Sequence, residues 1–516
     1  MKLDAGSKQV DLSKSSLKKT RNFLAIDFGA SNGRAIVGRF NGGTLELDEV
    51  HRFENRPVYM GNTYYWDFPR LFLELKTGIS EALKRYKKID SLGVETWGCD
   101  FGLLDNNKML LSNPVHYRDK RTVGLAKEMQ DIIPDWDMYK RTQAQILEIN
   151  TVYQLYFLKK IKSPILENAR HFLLLGDLFN FFLTGEIICE FSNATLTQLL
   201  NQGGKIWENH IIRKIGLPEY IFTEITQPGK IIGNLSSSLQ KELGAKEIPV
   251  SLPAYDTTSE IAAIPVSNKN KDANWAYLNC GTWAMAGIIT GYPIVSKAGF
   301  ERGFGNEGGF AGRYHYLKNM IGLWIIQQCR KKWMEEKGEI SWKEIDSLTA
   351  GAANSNVFID VDDSVFEREI FDMPSVVLRY CNNTGQMMPQ DIGGMSRALY
   401  ESLALKYILN IKKLEKITGK KIELLHLVGG GSNNILLCQW LADASGLTVI
   451  AGPQETTTAG NLLAQMVATK SVSGIDEARH IFTNSVDLKT YEPKKSNYLY
   501  WQDKLDKYLN ILKLSI

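Results

Sequence analysis

Apolar and polar positions along this chain change period from segment to segment. Phe23-Leu24-Ala25-Ile26 is an unbroken apolar run that ends in Asp27. A turn of small residues follows, and the apolar run resumes at Ala35-Ile36-Val37. The stretch from Thr44 to Phe53 alternates polar and apolar. Residues 22–53 therefore predict two or three strands. Leu71 to Tyr86 carries the spacing of an amphipathic helix. Ser91 to Asp105 (SLGVETWGCDFGLLD) predicts a strand pair joined by a glycine turn. Phe172 to Leu183 predicts a buried strand running into a helix, and it is too short to cross a bilayer. Asp177 inside it reads as a helix N-cap with no further role.

The pattern restarts in the second half. Trp275 to Gly281 predicts a strand, Thr282 follows, and Ala284 to Thr290 predicts another strand. This echoes the strand, small turn and strand around Asp27. Leu399 to Leu414 predicts a helix. The run IELLHLVGGGSNN predicts a strand entering a glycine turn, and Ile435 to Ser445 a helix closed by Gly446. LTVIAG predicts a strand, and Thr456-Thr457-Thr458 a hydroxyl-rich helix cap. Strands interleaved with helices in two similar sets predict two α/β halves with a cleft between them. Their boundary is expected at residues 258–275, with the polar run Ser267–Asp272 as linker.

Length and composition narrow the class. A chain of 516 residues has room for two domains or more, and 44% hydrophobic with 23% charged residues is ordinary for a globular protein. The net charge of +4 is spread along the chain, so neither a nucleic acid nor a membrane is expected as partner. Six cysteines, at 99, 189, 280, 329, 381 and 438, stand far apart without a C-x-x-C pair. They suggest reduced thiols and a cytoplasmic location. Seven histidines lack metal-ligand spacing. Residues 1–21 are Lys- and Ser-rich and read as a disordered tail without a secretory signal.

Three turns carry the chemistry. An acid at the end of a buried strand needs a partner, and the backbone N–H groups of a small-residue turn suit an anion. A Mg²⁺-nucleotide explains both at Asp27–Arg34. Cys280-Gly281-Thr282 sits at the matching place in the second half. Gly429-Gly430-Gly431 exceeds what a turn requires, and close approach of a flat ligand explains it better. The spacing of none of these matches a P-loop or a dinucleotide fingerprint. Asp256, in Ala254-Tyr255-Asp256-Thr257-Thr258-Ser259, reads either as a helix N-cap or as a general base facing the cleft. Trp97 offers a stacking face to a sugar, with Asp100 or the Gly98 backbone for hydroxyls; the plainer reading is a core aromatic. His116, Arg118, Asp119 and Arg121 read as a structural ion-pair network.

Taken together, DFGASNGR, ETWGCDFGLLD, HYRDKRT, NTVYQL, YLNCGTW, NEGGFAGRYHYLKNMIGLW and AGPQETTTAGN resemble the FGGY family of carbohydrate kinases from about residue 22 to about residue 490. The order and spacing of seven stretches make the resemblance specific. It implies a duplicated actin/Hsp70-like, ribonuclease H-like α/β fold with an interdomain catalytic cleft. The implied parts are a tail (1–21), a phosphate- and sugar-binding domain (22–262), a nucleotide-binding domain (263–490) and a terminal helix (491–516). The implied activity is ATP- and Mg²⁺-dependent phosphorylation of a ketose by a monomer or homodimer. Within the family the likeness is greatest to kinases of L-rhamnulose, which make the 1-phosphate, with kinases of L-fuculose next. Asp256 would be the catalytic base, and Asp27 would hold Mg²⁺. Ala30, Ser31, Asn32, Gly33 and Arg34 would cradle phosphate. Thr282, Gln327 and Gly430 match nucleotide-side positions. Gly98, Tyr255, Asp256, Thr257 and Asn319 match sugar-side positions. One departure stands out: Tyr255 occupies a place where the L-rhamnulose kinases usually carry His. Tyr is larger and stays neutral, so the sugar pocket is reshaped while the base is kept. Two rival readings are an actin-like ATPase acting on a protein partner, and a catalytically silent sugar sensor.

Overall fold

A computed structural model describes residues 20–266, 273–366 and 371–515. The expected linker 267–272 and nearly all of the expected tail lie outside the described residues. The first half is built on β1 (Arg21–Phe28), β2 (Asn32–Phe40), β3 (Leu45–Glu54), β4 (Ser91–Thr96) and β5 (Pro249–Leu252), in spatial order β3-β2-β1-β4-β5. The first three strands pair antiparallel, and β4 and β5 add parallel. Lys230–Asn234 adds an outer strand beside β5. Helix α1 (Phe68–Arg85) covers one face, its start capped by Asp67, whose side chain accepts from the Arg70 N–H. It buries Leu71, Leu75, Ile79 and Ala82 at helical spacing. Further along the chain, His171–Leu174 runs directly into α2 (Leu175–Thr184), and α3 (Asp256–Ala262) follows β5.

The second half repeats this plan. Its strands are β6 (Trp275–Cys280), β7 (Trp283–Thr290), β8 (Gly305–Gly308), β9 (Tyr314–Ile321), β10 (Leu424–Val428) and β11 (Thr448–Ala451). The order β9-β7-β6-β10-β11 has the same antiparallel and parallel pairings, with β8 outside β9 and Lys489–Tyr491 outside β11. Among its helices are α4 (Trp324–Lys337), α5 (Ile392–Thr418), α6 (Ile435–Ser445), α7 (Thr456–Ala468) and α8 (Lys495–Leu512). Gly446 takes a left-handed conformation, φ 72°, that ends α6. The duplication expected from the sequence is therefore present in sheet order and strand direction. No helix among the described residues is long and apolar enough to cross a membrane.

One helix ties the halves together. Strand β1 is buried on both faces: Leu24, Ile26 and Phe28 pack in the cluster that holds α1, while Phe23 and Ala25 pack with Leu462, Leu463 and Met466 of α7. Helix α7 thus leaves the second sheet and docks on the first. Its buried amides reinforce this, Asn461 donating to the Gly93 carbonyl at 3.1 Å and Gln465 to the Leu24 carbonyl at 2.9 Å. Where α7 crosses α3, a Cβ on Gly460 would lie 1.8 Å from the Ser259 carbonyl oxygen.

Three local expectations need correction. Ser91–Thr96 and Phe101–Leu104 are both strands, but they do not pair with each other. The first joins the main sheet, and the second pairs with His171–Leu174. Asp177 is not an N-cap: Leu174 holds that place, and Asp177, wholly buried in the first turn, accepts from the Glu190 N–H at 3.2 Å. Thr456 and Thr458 do not cap α7, whose N-cap is Glu455 without a side-chain bond. Their hydroxyls serve the other half instead.

The α3–α7 crossing leaves no room for a methyl group. Gly460→Ala is expected to destabilise the protein by about 1–3 kcal/mol, the usual range for overpacking a close contact. Urea unfolding checks this, and an unchanged midpoint would show that the two helices can separate freely.

Candidate active site

The β1–β2 turn forms the first corner of the site. Asp27 and Arg34 are register partners. The turn closes by a bond from the Gly29 N–H to the Asn32 carbonyl (2.9 Å), and Asn55 braces it from below through the Gly29 and Ser31 carbonyls. Ser31 and Asn32 are exposed at the tip, with Ala30 partly so. Gly33 is different: it is buried, and a Cβ there would strike the Phe53 ring at 2.1 Å. Packing accounts for that glycine. Arg34 Nη2 donates to Asp27 Oδ2 at 2.8 Å, and Nη1 pairs with Glu455 from the second half. Asp27 and then Glu455 raise the Arg34 pKa against the lowering effect of burial. Thr458 Oγ1 also donates to Asp27 Oδ2, at 3.1 Å. Both bonds fall on Oδ2.

Asp256 is the first residue of α3. Tyr255 is the N-cap, so the capping alternative for Asp256 does not hold. Its Oδ1 accepts from the Thr257 N–H at 2.6 Å and the Thr257 hydroxyl at 3.2 Å. Burial pushes the Asp256 pKa up to about 7, and the charges of Asp27 and Glu307 add to this, while the Thr257 N–H opposes it. A carboxyl group that titrates near neutrality suits proton transfer. Glu260, one turn on, is raised to about 8 by burial and is held by Thr456 at 3.2 Å and by Asn279. Burial and then Asp27 push Glu95, the register partner of Asp27 on β4, well above the carboxylate range.

Of the sugar-side expectations, Tyr255 and Asn319 are joined through Glu307, while Gly98 packs against Leu196. The Tyr255 hydroxyl donates to Glu307 on β8, a close contact in a fully buried setting. Asn319 on β9 donates through its N–H and its amide to Gln145 Oε1, both at 3.1 Å, and its amide lies 3.5 Å from Glu307 Oε1. Gly98 precedes Cys99, whose φ is +72°, and a Cβ at Gly98 would meet Leu196 at 2.2 Å. Neither Trp97 nor Asp100 faces this space. Trp97 packs 4.1 Å from Trp66, and the two indole N–H groups both donate to buried Asp100, at 2.8 and 2.7 Å. Trp97 is a core aromatic and Asp100 its anchor.

Thr282, Gln327 and Gly430 are the positions expected on the nucleotide side. Thr282, exposed at the β6–β7 turn, donates to Gln327 of α4 at 3.2 Å. Of the three consecutive glycines, two answer to packing. Gly429 has φ +77° and Gly431 sits against Cys280, where a Cβ would be 2.4 Å from Sγ. Gly430 alone faces open space, with nothing within 4 Å. The ligand argument made from all three therefore rests on one. The cluster at 116–121 is not an ion-pair network either. Asp119 caps the turn Lys120–Thr122, Arg121 donates to Gln154 at 2.7 Å, and the Arg118 guanidinium lies 5.5 Å from both Trp283 and Trp324 in the second half.

Glu307, Gln145 and Glu455 were not singled out from the sequence, although Glu307 and Glu455 stand inside quoted motifs, and Thr458 was read only as part of a helix cap. Among the described residues no group of three His, Cys, Asp or Glu side chains is arranged to hold a metal alone. Asp27 fits a hard cation in another way: Oδ1 carries no hydrogen bond, and Mg²⁺ commonly takes one or two carboxylates plus phosphate oxygens.

Comparisons with known proteins identify the family and the fold. Residues 22–263 match the N-terminal domain and residues 276–469 the C-terminal domain of the FGGY family of carbohydrate kinases. A rhamnulokinase of Oceanobacillus iheyensis is 38% identical over 469 residues, 91% of this chain and 97% of that protein. A rhamnulokinase of Bacteroides thetaiotaomicron is 35% identical, covering 92% and 96%. Among solved structures, a xylulose kinase from Lactobacillus acidophilus superposes with a TM-score of 0.80 at 15% identity, covering 96% of this chain and 98% of that one. The glycerol kinase of Plasmodium falciparum with ADP gives 0.77 at 15% identity, with the same coverage.

Gly430 and Gly431 separate ligand contact from packing. Gly430→Ala is expected to leave thermal stability unchanged and weaken ATP binding several-fold, whereas Gly431→Ala lowers the melting temperature. Calorimetry of nucleotide binding and thermal unfolding together check the pair. Equal stability loss in both would contradict the assignment of Gly430 to a ligand.

Proposed function

The chain belongs to the FGGY family of carbohydrate kinases, and on that premise we propose that this sugar kinase phosphorylates the 1-hydroxyl of L-rhamnulose. L-rhamnulose 1-phosphate and ADP would be the products. The observation that carries the substrate is the similarity to named rhamnulokinases over more than 90% of both chains. L-fuculose remains the second reading, because Tyr255 reshapes the pocket that must tell the two epimers apart. A mispaired buried hydroxyl costs on the order of 1–3 kcal/mol, enough for one residue to tip the preference. Six free, buried cysteines support action in the reducing cytoplasm.

In this reading Asp256 accepts the proton of the sugar hydroxyl as that oxygen attacks the γ-phosphorus. Thr257 fixes the carboxylate by holding Oδ1, which leaves Oδ2 for the hydroxyl. Arg34 and the turn Ala30–Gly33 bind the phosphates. Thr282, Gln327 and Gly430 hold the nucleoside side. Asp27 would hold Mg²⁺, which supplies charge neutralisation at the transferring phosphoryl group. Phosphoryl transfer depends chiefly on such positioning and charge. Gly98, Tyr255 and Asn319 orient the ketose. Burying the reaction between two halves keeps water from competing for the phosphoryl group.

ADP release with Mg²⁺-ATP against L-rhamnulose, L-fuculose, L-ribulose, D-xylulose, glycerol and no sugar tests the substrate. Highest kcat/KM with L-rhamnulose is expected. Preference for L-fuculose would shift the assignment to the second reading, and sugar-independent turnover would overturn the kinase role.

The raised Asp256 pKa also fixes a pH dependence. The base must be ionised, so kcat/KM for the ketose should fall as pH drops below about 7, approaching tenfold per unit. A flat profile through the neutral range would contradict the assignment of Asp256.

A further inference from the structure

We propose that Glu307 accepts a hydroxyl of the bound ketose and that Tyr255 holds Glu307 in place for this. The inference rests on the sugar-kinase reading above. Glu307 is a buried acid that no step of that reading uses. It stands on β8, the outermost strand beside β9, and its backbone is fixed from both halves. Asn306 N–H donates to the Gln143 carbonyl at 2.8 Å, Gly308 N–H to Thr195 Oγ1 at 3.0 Å, and Thr258 Oγ1 to the Gly308 carbonyl at 2.7 Å. The flanking glycines allow this close fit. A Cβ on Gly305 would lie 2.2 Å from the Gln145 N atom, and one on Gly308 would lie 2.6 Å from the Phe191 ring. Such a strand cannot swing its acid away from the site.

The acid is under-used where it stands. A carboxylate offers about four acceptor positions. Tyr255 fills one on Oε2, and the Asn319 amide, at 3.5 Å and already committed to Gln145 at 3.1 Å, barely engages Oε1. A buried acid with spare acceptor capacity calls for another donor. Both of its neighbours occupy sugar-side positions, and one of them, Tyr255, directly precedes Asp256 in the chain. A donor that reaches this point while another hydroxyl meets Asp256 has the chemistry of a polyol. The Tyr255 hydroxyl can give only one proton, so it serves Glu307 and has none left for the sugar. Recognition of that hydroxyl then falls to Glu307 itself. The replacement of His by Tyr moves the reading group from the residue before the base to the acid behind it.

Steady-state kinetics of Glu307→Gln test this. The variant keeps the shape and the Asn319 neighbour but loses the charge. Ketose KM should rise roughly tenfold to a hundredfold, the range for a hydrogen bond to a charged group. ATP KM should hold, and kcat should change far less than KM. Tyr255→Phe, which leaves the acid but removes its anchor, should raise ketose KM by a smaller factor, and Tyr255→His, which restores an N–H donor, should recover part of it. The double variant should lose less than the product of the single losses, because the two residues act as a unit. Unchanged ketose KM in both Glu307→Gln and Tyr255→Phe, or equal rises in ketose and ATP KM, would overturn the proposal. If Glu307→Gln does not fold, the Tyr255→Phe and Tyr255→His pair decides alone. Wild-type protein that turns over no ketose would remove the sugar-kinase reading, and this inference with it.

Discussion

The site depends on the crossing of α3 and α7. Helix α3 carries Asp256 at its first residue, and α7 presents Thr456 and Thr458 just after Glu455. Because Gly460 has no side chain, the helices meet backbone to backbone at Ser259. That contact brings Thr458 and Glu455 of the second half to Asp27 and Arg34 of the first. Apolar packing of α7 on β1 supplies the adhesion, and the polar bonds above it set the alignment. A bulkier residue at this one point would separate the β1–β2 turn from the second half. This sugar kinase thus joins two distant stretches at one tight crossing.

Charge is the second constraint. Asp27, Glu95, Asp256, Glu260 and Glu307 face one region; burial raises the last four, and the charges of neighbouring acids add to this for Glu95, Asp256 and Glu260. Arg34 is the cation paired with Asp27 at the floor. Such a region resists ionisation and favours the arrival of positive charge. Under the proposed function, a magnesium nucleotide would bring a cation to these acids while its phosphates met Arg34 and the turn. The burial that raises Asp256 to about 7, with the charge of Asp27 adding to it, would then favour the nucleotide complex in which Asp256 is proposed to act.

Much of this was legible in the sequence, for reasons that are local. An apolar run broken by small residues, with an acid at Asp27 and without one at Gly281-Thr282, makes a strand and turn, so β1, β2, β6 and β7 could be read directly. The glycine that closes α6 is also local, since only a left-handed residue ends that helix cheaply. What could not be read was partner choice. Thr458 reads as a cap because hydroxyls at helix starts usually cap, yet its partner Asp27 lies 431 positions away. Trp97 beside a glycine reads equally as a sugar platform or as core, and only the second indole at Trp66 decides it. Gly429 and Gly431 resemble ligand-facing residues until Asn279 and Cys280 are seen beneath them. Glu307 carries no local signal of its role, because its meaning comes from Tyr255 across the interface.

The central claim is that the carboxylate seated at the α3–α7 joint takes the proton of the attacking hydroxyl. Rapid-quench measurement of phosphoryl transfer by Asp256→Asn, at saturating Mg²⁺-ATP and L-rhamnulose, tests it most directly. The account predicts a chemical step slowed by about a hundredfold to ten-thousandfold, the range for loss of a general base, with nucleotide affinity close to wild type. Transfer at the wild-type rate would contradict it, and would mean that another group at the cleft floor receives the proton.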